Sequence, residues 1–376
     1  MLQNGEKRLV VKMHPSDNVL VALIDLEKGK NIVFGKEFFI LQETIKAKHK
    51  FYTSDLNVGD EVIMYGVLVG KVVCDVLKGS LMTTDNLKHA AEPYGYRHID
   101  FVWQAPDISK YKDKTFNGYK RKDGRVGTAN YWLFVPTVFC ENRNLDVIKE
   151  ALHNELGYSV SDKYTQYTHQ LLKAYKEGGD LENIVLAPTA NSNRVFKNVD
   201  GIKFLNHQGG CGGTRQDSAT LSALLASYAN HPNVAGITLL SLGCQHLQVQ
   251  DFVEDIKKQN PSFDKPLLVF EQQQSGNEEQ MIAEAIKKTF EGLIEINTIE
   301  RTPAPLSALC IGVKCGGSDG FSGVSANPAV GYTADLLVAL GGKVLLAEFP
   351  ELCGVEQNII DRCNTQESAQ KFIDLM

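Results

Sequence analysis

The chain has 376 residues, 43% of them hydrophobic and 22% charged, and this composition excludes a largely disordered protein. The formal net charge is −6, with 39 Lys and Arg against 45 Asp and Glu, which argues against a general nucleic-acid-binding protein. No run approaches the roughly 18 consecutive apolar residues of a membrane helix, and the polar N-terminus does not predict a signal peptide. We therefore expect a cytoplasmic protein with neither a nucleic-acid nor a membrane partner.

Residues 1–92 are predicted to form a small β-rich domain. Short apolar runs at 19–24 and 62–69 alternate with breaks rich in Gly, Asp and Lys. Residues 93–116 contain two prolines, a glycine and many charged and aromatic side chains without a clear period. This segment predicts an extended linker.

Strands and helices are predicted to alternate in the rest of the chain, in an α/β domain over 117–300 and the start of another over 301–376. Strands are predicted at 184–187, 203–206, 234–242, 266–271, 307–313 and 343–349. Helices are predicted at 145–156, 164–175, 216–229, 247–258, 277–290 and 330–340. The alternation indicates βαβ units with parallel sheet, and we expect all the strand-to-helix turns at one sheet edge, where such sheets bind ligands.

Five successive turns at this expected edge contain unusual residues, at 207–215, 243–246, 272–276, 314–323 and 348–354. Clustered glycines in these turns permit positive φ and a close approach of the backbone to a ligand. Helix N-termini that begin there would offer N–H groups to an anion. The turns therefore predict a site for a small anionic molecule.

Each candidate residue also has a plainer interpretation. Cys211, Cys244 and Cys315 could converge on iron or a small cluster, or each could be a small hydrophobe buried in a tight turn. Asp319 could be an Asx-turn residue alone, and Glu348 could lie in a solvated turn. Eight cysteines without a Cys-x-x-Cys pair predict neither a disulfide scaffold nor a zinc ribbon.

Several nucleotide and hydrolase motifs are absent from the sequence. The glycine clusters do not follow the Gly-x-Gly-x-x-Gly spacing, and there is no phosphate loop of the Gly-x-x-x-x-Gly-Lys-Ser/Thr type. The Gly-x-Ser-x-Gly motif of α/β-hydrolases is also missing. Nucleotide chemistry and serine hydrolysis are therefore disfavoured.

Four segments resemble the altronate/galactarate dehydratase family. The most specific is Lys-Cys-Gly-Gly-Ser-Asp-Gly-Phe-Ser-Gly-Val-Ser-Ala-Asn-Pro-Ala-Val-Gly at 314–331. The others are 116–128, Asn-His-Gln-Gly-Gly-Cys-Gly at 206–212 with Leu-Gly-Cys at 242–244, and Glu-Phe-Pro-Glu at 348–351. Residues 14–19 and 63–66 resemble the SAF-type β-clip domain that precedes the catalytic part in this family.

The resemblance implies a hydro-lyase that dehydrates a sugar acid, with iron(II) as the family's usual metal; manganese and an iron–sulfur cluster stay open. A base would remove the proton next to the carboxylate, and an acid or metal would help the 3-hydroxyl leave. We assign proton transfer to His207, Asp319 and Glu348. Substrate contacts and metal ligands are assigned as follows: Arg215, Gln273, Ser318 and Asn327 to substrate; Cys211, Cys244, Cys315 and His14 to metal.

The sequence also gives an expectation for the substrate branch within the family. The segment 118–144 and Glu-Phe-Pro-Glu resemble altronate members, which implies conversion of D-altronate to 2-keto-3-deoxy-D-gluconate. Residues 205–207, 211–212 and 327–332 resemble galactarate members, which keeps galactarate dehydratase as an alternative. A sulfolactate lyase is disfavoured by the fused layout. A homo-oligomer is also possible.

Two departures from the family pattern qualify these expectations. Altronate members tend to have His-x-His-Asn where this chain has Thr-Thr-Asp-Asn at 83–86, so that His89 or His98 would have to substitute. Family members also continue for over a hundred residues, so the chain is expected to be truncated in its last domain. A non-catalytic sugar-acid-binding protein is the alternative from a different class.

Overall fold

The N-terminal region is built from short antiparallel strands. The computed structural model describes residues 8–159, 162–186, 194–314, 316 and 319–376. The strands are β1 (Val10–Val11), β2 (Val19–Ala22), β3 (Asn31–Phe34), β4 (Glu37–Ile40), β5 (Lys50–Tyr52), β6 (Glu61–Met64), β7 (Val67–Val72) and β8 (Leu87–His89). β2 pairs with β1 and β5, β3 pairs with β4, and β7 pairs with β6 and β8.

Two small cores hold these strands together, one around Leu20, Ile32 and Phe51 and the other around Val21 and Tyr52. Neighbouring residues of β2 thus serve different cores, because side chains alternate between the two faces of a strand. The predicted β-rich N-terminal region is confirmed.

The chain divides into two compact units, of which the second is Asp113–Ala308 and the first combines Met1–Lys112 with Leu309–Met376. The second unit contains a four-stranded parallel sheet of order β12–β11–β13–β14 and a small antiparallel sheet of order β10–β9–β15. The elements are β9 (Thr115–Lys120), β10 (Val126–Gly127), β11 (Tyr131–Pro136), α1 (Asn142–Leu156), α2 (Asp162–Glu177), β12 (Gly201–Phe204), α3 (Arg215–Asn230), β13 (Val234–Ser241), α4 (Val249–Gln259), β14 (Leu267–Glu271), α5 (Glu278–Asn297) and β15 (Thr302–Pro305).

Both faces of the parallel sheet are covered, as is usual for parallel sheets. Leu145 of α1 and Leu293 of α5 pack with Trp132 on one face, and Leu225 of α3 and Phe252 of α4 pack on the other. The indole N–H of Trp132 donates to Thr238 Oγ1 at 2.9 Å in this buried core. All eight residues of β13 are buried, and its only polar side chains are those of Thr238 and Ser241.

The C-terminal segment of the first unit forms a second, smaller parallel sheet of two strands. Its elements are β16 (Cys310–Val313), α6 (Asn327–Ala339), β17 (Lys343–Leu346), α7 (Glu356–Ile360) and α8 (Gln366–Leu375). A small core of Ile360, Ala369 and Phe372 joins α7 to α8. The parallel α/β architecture predicted after the N-terminal region is therefore confirmed.

Three details of the predicted architecture are wrong. The five turns do not share one edge, because β16 and β17 form a sheet separate from the four-stranded one. Residues 184–186 form no strand, and Val185 is 77% exposed, so this apolar run has no core to enter; Ala187 lies outside the described residues. The central strand β11, which the predicted elements omit, occupies an apolar run at 131–136.

No helix in the described part of the chain is both long enough and apolar enough to cross a membrane.

Candidate functional site

The carboxyl edge of the four-stranded sheet brings together three of the predicted turns. His207 and Cys211 follow β12, Cys244 follows β13, and Gln273 follows β14. The turn after β13 is tied to the turn after β12, since the N–H of His246 donates to the carbonyl of Gly210 at 3.0 Å. The prediction that these turns adjoin is therefore correct for this sheet.

Two glycines in these turns have positive φ and lie close to other groups. Gly210 has φ +93°, and a Cβ there would lie 2.1 Å from the carbonyl oxygen of Thr137. Gly243 has φ +110°, and a Cβ there would lie 2.7 Å from Oε1 of Gln273. The approaching groups belong to the protein itself, so these glycines serve the packing of the turns.

His207 is held by backbone groups on both sides of its ring. Nε2 lies 2.8 Å from the carbonyl oxygen of Pro136, and the N–H of Gly209 donates to Nδ1 at 3.1 Å. Since a carbonyl only accepts, the proton of the neutral ring must be on Nε2. His207 would have to give up one of these hydrogen bonds before it could move a proton of the substrate.

The cysteines of this edge are both exposed, which removes the alternative that Cys211 and Cys244 are buried hydrophobes. Cys315, the third predicted ligand, lies outside the described residues. No group of three or more His, Cys, Asp or Glu suited to a metal ion occurs among the residues that the structure describes. These residues therefore offer two thiols on adjoining turns and not a complete iron site.

Arg215 lines a cavity of about 550 Å³ bounded by α3, α4 and the turn before α4. Three carboxylates, Asp251, Glu254 and Asp255, line the same cavity, and Ser222 donates to Asp255 at 2.6 Å. Arg215 therefore lies among carboxylates, and its assignment to the substrate carboxylate stays a prediction.

The first unit contains a second group of predicted residues, in a cavity of about 780 Å³ at the carboxyl ends of β16 and β17. Asp319, Asn327 and Glu348 all line it, together with Lys314 and Glu351. Ser318 falls outside the described residues. This cavity therefore brings residues of the signature segment 314–331 together with both glutamates of the Glu-Phe-Pro-Glu turn.

Asp319 makes two polar contacts at this cavity. Oδ1 accepts the N–H of Phe321 at 2.7 Å, and Oδ2 pairs with Nζ of Lys48 at 3.0 Å. The hydrogen bond from Phe321, followed by the contact with Lys48, holds the pKa of this carboxyl below its ordinary value of 3.8. Asp319 is thus both an Asx-turn residue and a charged group that is 52% exposed.

Glu348 has a left-handed backbone conformation, with φ +63° and ψ +63°. This conformation costs a non-glycine residue on the order of 1–3 kcal/mol, and such residues are concentrated at functional sites. Its carboxylate lies 3.2 Å from Nζ of Lys314. The pair places an ammonium group and a carboxylate side by side on the wall of the cavity.

The sequence analysis missed two contributors from the N-terminal domain, Lys48 and Tyr65. Both have positive φ, +76° and +58°, and with Glu348 they are the described non-glycine residues with that conformation. Tyr65 begins a two-residue hairpin loop with Gly66, which requires positive φ. A Cβ at Gly323 of the signature segment would lie 2.2 Å from the Tyr65 hydroxyl oxygen. The run Lys-Ala-Lys-His-Lys at 46–50 was the available signal.

The predicted metal ligand His14 packs against the hairpin loop of Tyr65. Its Nδ1 lies 2.7 Å from Oγ of Ser16, and a Cβ at Gly66 would lie 2.9 Å from the same atom. Of the two possible substitutes for the missing histidine pair, His89 lines a cavity with Thr83 and Thr84, whereas His98 lies beside Asp100 at 3.6 Å.

Three family matches cover most of the chain. The altronate/galactarate dehydratase SAF domain matches residues 8–90, the second domain of D-galactarate dehydratase/altronate hydrolase matches 118–297, and the D-galactarate/altronate dehydratase C-terminal domain matches 306–376. The chain therefore belongs to the altronate/galactarate dehydratase family and carries its SAF-type N-terminal domain. The resemblance drawn from the sequence motifs is confirmed.

Individual relatives are similar along almost the whole chain. An altronate dehydratase of Bacillus subtilis (strain 168) is 29% identical over 97% of this chain and 65% of its own length. An altronate dehydratase of Escherichia coli (strain K12) is 27% identical, again over 97% and 65%. A galactarate dehydratase (L-threo-forming) of the same strain is 26% identical over 97% and 64%. The chain thus spans just under two thirds of the length of these relatives.

Proposed function

We propose that this protein takes part in the dehydration of a sugar acid, as a hydro-lyase. The observation that supports this most directly is the cavity of the first unit, in which the signature carboxylate Asp319 lies beside the ammonium group of Lys48 and shares its walls with the Lys314–Glu348 pair. Removal of water from a hydroxy acid needs a group that accepts a proton and groups that donate a proton or stabilise negative charge. Carboxylates and ammonium groups in one cavity can fill these roles.

The reaction breaks a C–H bond at C2 and the C–O bond at C3. Asp319 accepts the C2 proton, the electron pair of that bond forms the C2=C3 double bond, and the hydroxyl leaves as water after taking a proton. The resulting enol then becomes the 2-keto-3-deoxy acid. Its lowered pKa makes Asp319 a weak base, so the enediolate that develops must be stabilised by nearby positive charge. Lys48 supplies that charge.

The leaving hydroxyl needs a proton donor and a fixed orientation. Lys314 has an ammonium group that can donate a proton, and its contact with Glu348 holds that group at the cavity wall. Asn327, which lines the same cavity, offers an amide that can bond to the sugar hydroxyls.

Iron(II) forms part of the proposal as a cofactor that would polarise the leaving hydroxyl. Thiolates of Cys211 and Cys244 would be soft ligands for it. Because the described residues do not complete a ligand set, no step above is assigned to the metal.

D-Altronate is the substrate that we propose, with 2-keto-3-deoxy-D-gluconate as the product, because two relatives at 29% and 27% identity bear the name altronate dehydratase. Galactarate is the competing substrate, supported by the third relative and by Thr83 and Thr84 in place of the histidines expected of altronate members.

An anaerobic assay with added iron(II) tests this proposal. The purified chain is given D-altronate or galactarate, and the 2-keto-3-deoxy acid is quantified. Turnover of altronate alone supports the proposal, and turnover of galactarate alone moves the chain to the other branch. If neither is dehydrated while both bind, the protein is a sugar-acid-binding protein and the catalytic role is wrong.

A further inference from the structure

A second cavity of the first unit, about 570 Å³ in volume, carries positively charged side chains. Its lining includes Lys48, His49 and Lys50 from the segment that leads into β5, and His89 at the end of β8. The hydroxyl-bearing residues Thr83 and Thr84 complete its polar wall. None of the described residues that line it is Asp or Glu, so its lining favours an anion.

The two histidines are oriented in the same way. Nδ1 of His49 lies 3.3 Å from the carbonyl oxygen of Ala47, and Nδ1 of His89 lies 3.2 Å from that of Val69. A carbonyl accepts only, so each Nδ1 carries the proton that it donates. Each Nε2 is then the atom that can accept from a sugar hydroxyl or, when the ring is protonated, donate to a carboxylate.

Lys48 connects this cavity to the one that contains Asp319. Its side chain lines this second cavity, and its Nζ contacts Asp319. The same Nζ lies 5.0 Å from the ring centroid of Phe321. Gly320 lines both cavities, and a Cβ there would lie 2.6 Å from Cβ of Lys48. A molecule bound in one cavity would therefore be next to the other.

Lys48 has a backbone conformation that is unfavourable for a non-glycine residue. The N–H of His49 donates to the carbonyl of Lys46 at 3.1 Å, which closes a turn whose third residue is Lys48 with φ +76°. Glycine is the residue that usually fills such a position. A lysine at this position does not stabilise the turn, so we look for its role in its ammonium group, which glycine lacks.

We propose that the cavity lined by Lys48, Lys50, His49 and His89 binds the carboxylate of the sugar acid, so that the N-terminal domain supplies the carboxylate subsite of the active site. This inference rests on the proposed function for the identity of the ligand. Lys48 then bridges two carboxylates, that of the substrate and that of Asp319. Because C2 is bonded directly to the carboxylate carbon, this bridge brings the C2 proton towards Asp319.

Calorimetric titration of the full chain tests the subsite without requiring turnover. D-Altronate is compared with D-altritol, which has a primary alcohol in place of the carboxylate. We expect the wild type to bind altronate at least about tenfold more tightly than altritol, as hydrogen bonds to a charged group are the stronger ones. Lys48→Gln and Lys50→Gln should each remove most of that preference and leave the binding of altritol unchanged.

A matched control is Lys71→Gln, which removes a surface lysine of the same domain that pairs with Glu61 at 3.2 Å. It should keep the preference for altronate. Lys50→Gln provides the test independently if Lys48→Gln fails to fold. Equal binding of altronate and altritol by the wild type, no binding of altronate, or an unchanged preference in both cavity variants would each overturn the subsite.

The outcome also separates the subsite from the catalytic proposal. Lysine-dependent binding of altronate without any dehydration would keep the subsite and discard the hydro-lyase. Dehydration that is indifferent to Lys48→Gln and Lys50→Gln in both KM and kcat would keep the hydro-lyase and discard the subsite.

Discussion

The carboxyl edge of the four-stranded sheet and the cavity around Asp319 both collect polar residues from glycine-rich turns, but the two regions use them differently. At the sheet edge, the ring of His207 is occupied by two backbone groups, and Gly210 accommodates a carbonyl of the protein itself. In the cavity, Asp319 and Glu348 pair with ammonium groups and remain partly exposed. Glycine-rich turns thus mark close packing as readily as they mark a ligand site.

The largest effect should come from exchanging the carboxylate of the cavity. Asp319→Asn removes the proposed proton acceptor while preserving shape, and we expect dehydration to fall by about 10² to 10⁴, the usual contribution of a general base. His207→Gln should cost less than about tenfold, because His207 serves the packing of its turn. The measurement is kcat with D-altronate, and circular dichroism checks that both variants fold.

The opposite ranking of the two variants would contradict the assignment of proton transfer to Asp319. If His207→Gln lost as much activity as Asp319→Asn while remaining folded, the chemistry would belong to the edge of the four-stranded sheet. The proton-transfer role of Asp319 would then be wrong.

A prediction of intermediate size concerns the stability of the sheet edge. Gly210→Ala introduces a Cβ that collides with the Thr137 carbonyl, at a position whose backbone φ is +93°. We therefore expect the free energy of unfolding to fall by at least about 2 kcal/mol. Gly212→Ala is the matched control, since Gly212 has φ +79° in the same turn but nothing within 4 Å of an added Cβ. It should cost only the backbone strain, about 1 kcal/mol.

Urea denaturation of the two variants measures this difference. Equal losses would show that the close approach to Thr137 relaxes without cost and that only the sign of φ matters. A larger loss for Gly212→Ala than for Gly210→Ala would contradict the packing role assigned to Gly210.

Most helices were predictable from the sequence, and some of them also have a clear start signal. α3 is an example, since Thr214 and Asp217 form a capping box at its start, with the side chain of Thr214 accepting the N–H of Asp217 at 3.2 Å. The central strand β11 was missed although it contains the buried run from Trp132 to Val135. A continuous apolar run of this length has no period that distinguishes a strand from a buried helix.

The candidate site was predictable only where it is local in sequence. Asp319 and Glu348 stand in motifs and were identified, whereas Lys48 lies 271 positions from its partner Asp319. No spacing rule reports such a contact, and the assignment of β16 and β17 to a separate sheet was hidden for the same reason. Which strands pair is decided by tertiary packing rather than by local pattern.

The smallest effect should come from titrating Asp319 itself. Its pKa is lowered in the folded state, chiefly by the N–H of Phe321 and then by Lys48, so the ionised carboxylate stabilises the fold above the ordinary value of 3.8. That contribution is lost as the pH falls through the lower folded-state pKa. The melting temperature of the wild type should therefore exceed that of Asp319→Asn by a small amount near neutral pH, and the difference should shrink below about pH 4.

Removal of Lys48 shows how the stabilisation of Asp319 is divided. Because the hydrogen bond from Phe321 is the larger cause, the pH-dependent difference should persist in a Lys48→Gln background at reduced size. Its complete disappearance would mean that Lys48 alone holds Asp319 ionised and that the turn makes no contribution. Its persistence would show that the signature loop keeps its own carboxylate charged, which leaves the ammonium group of Lys48 available to a second, substrate carboxylate.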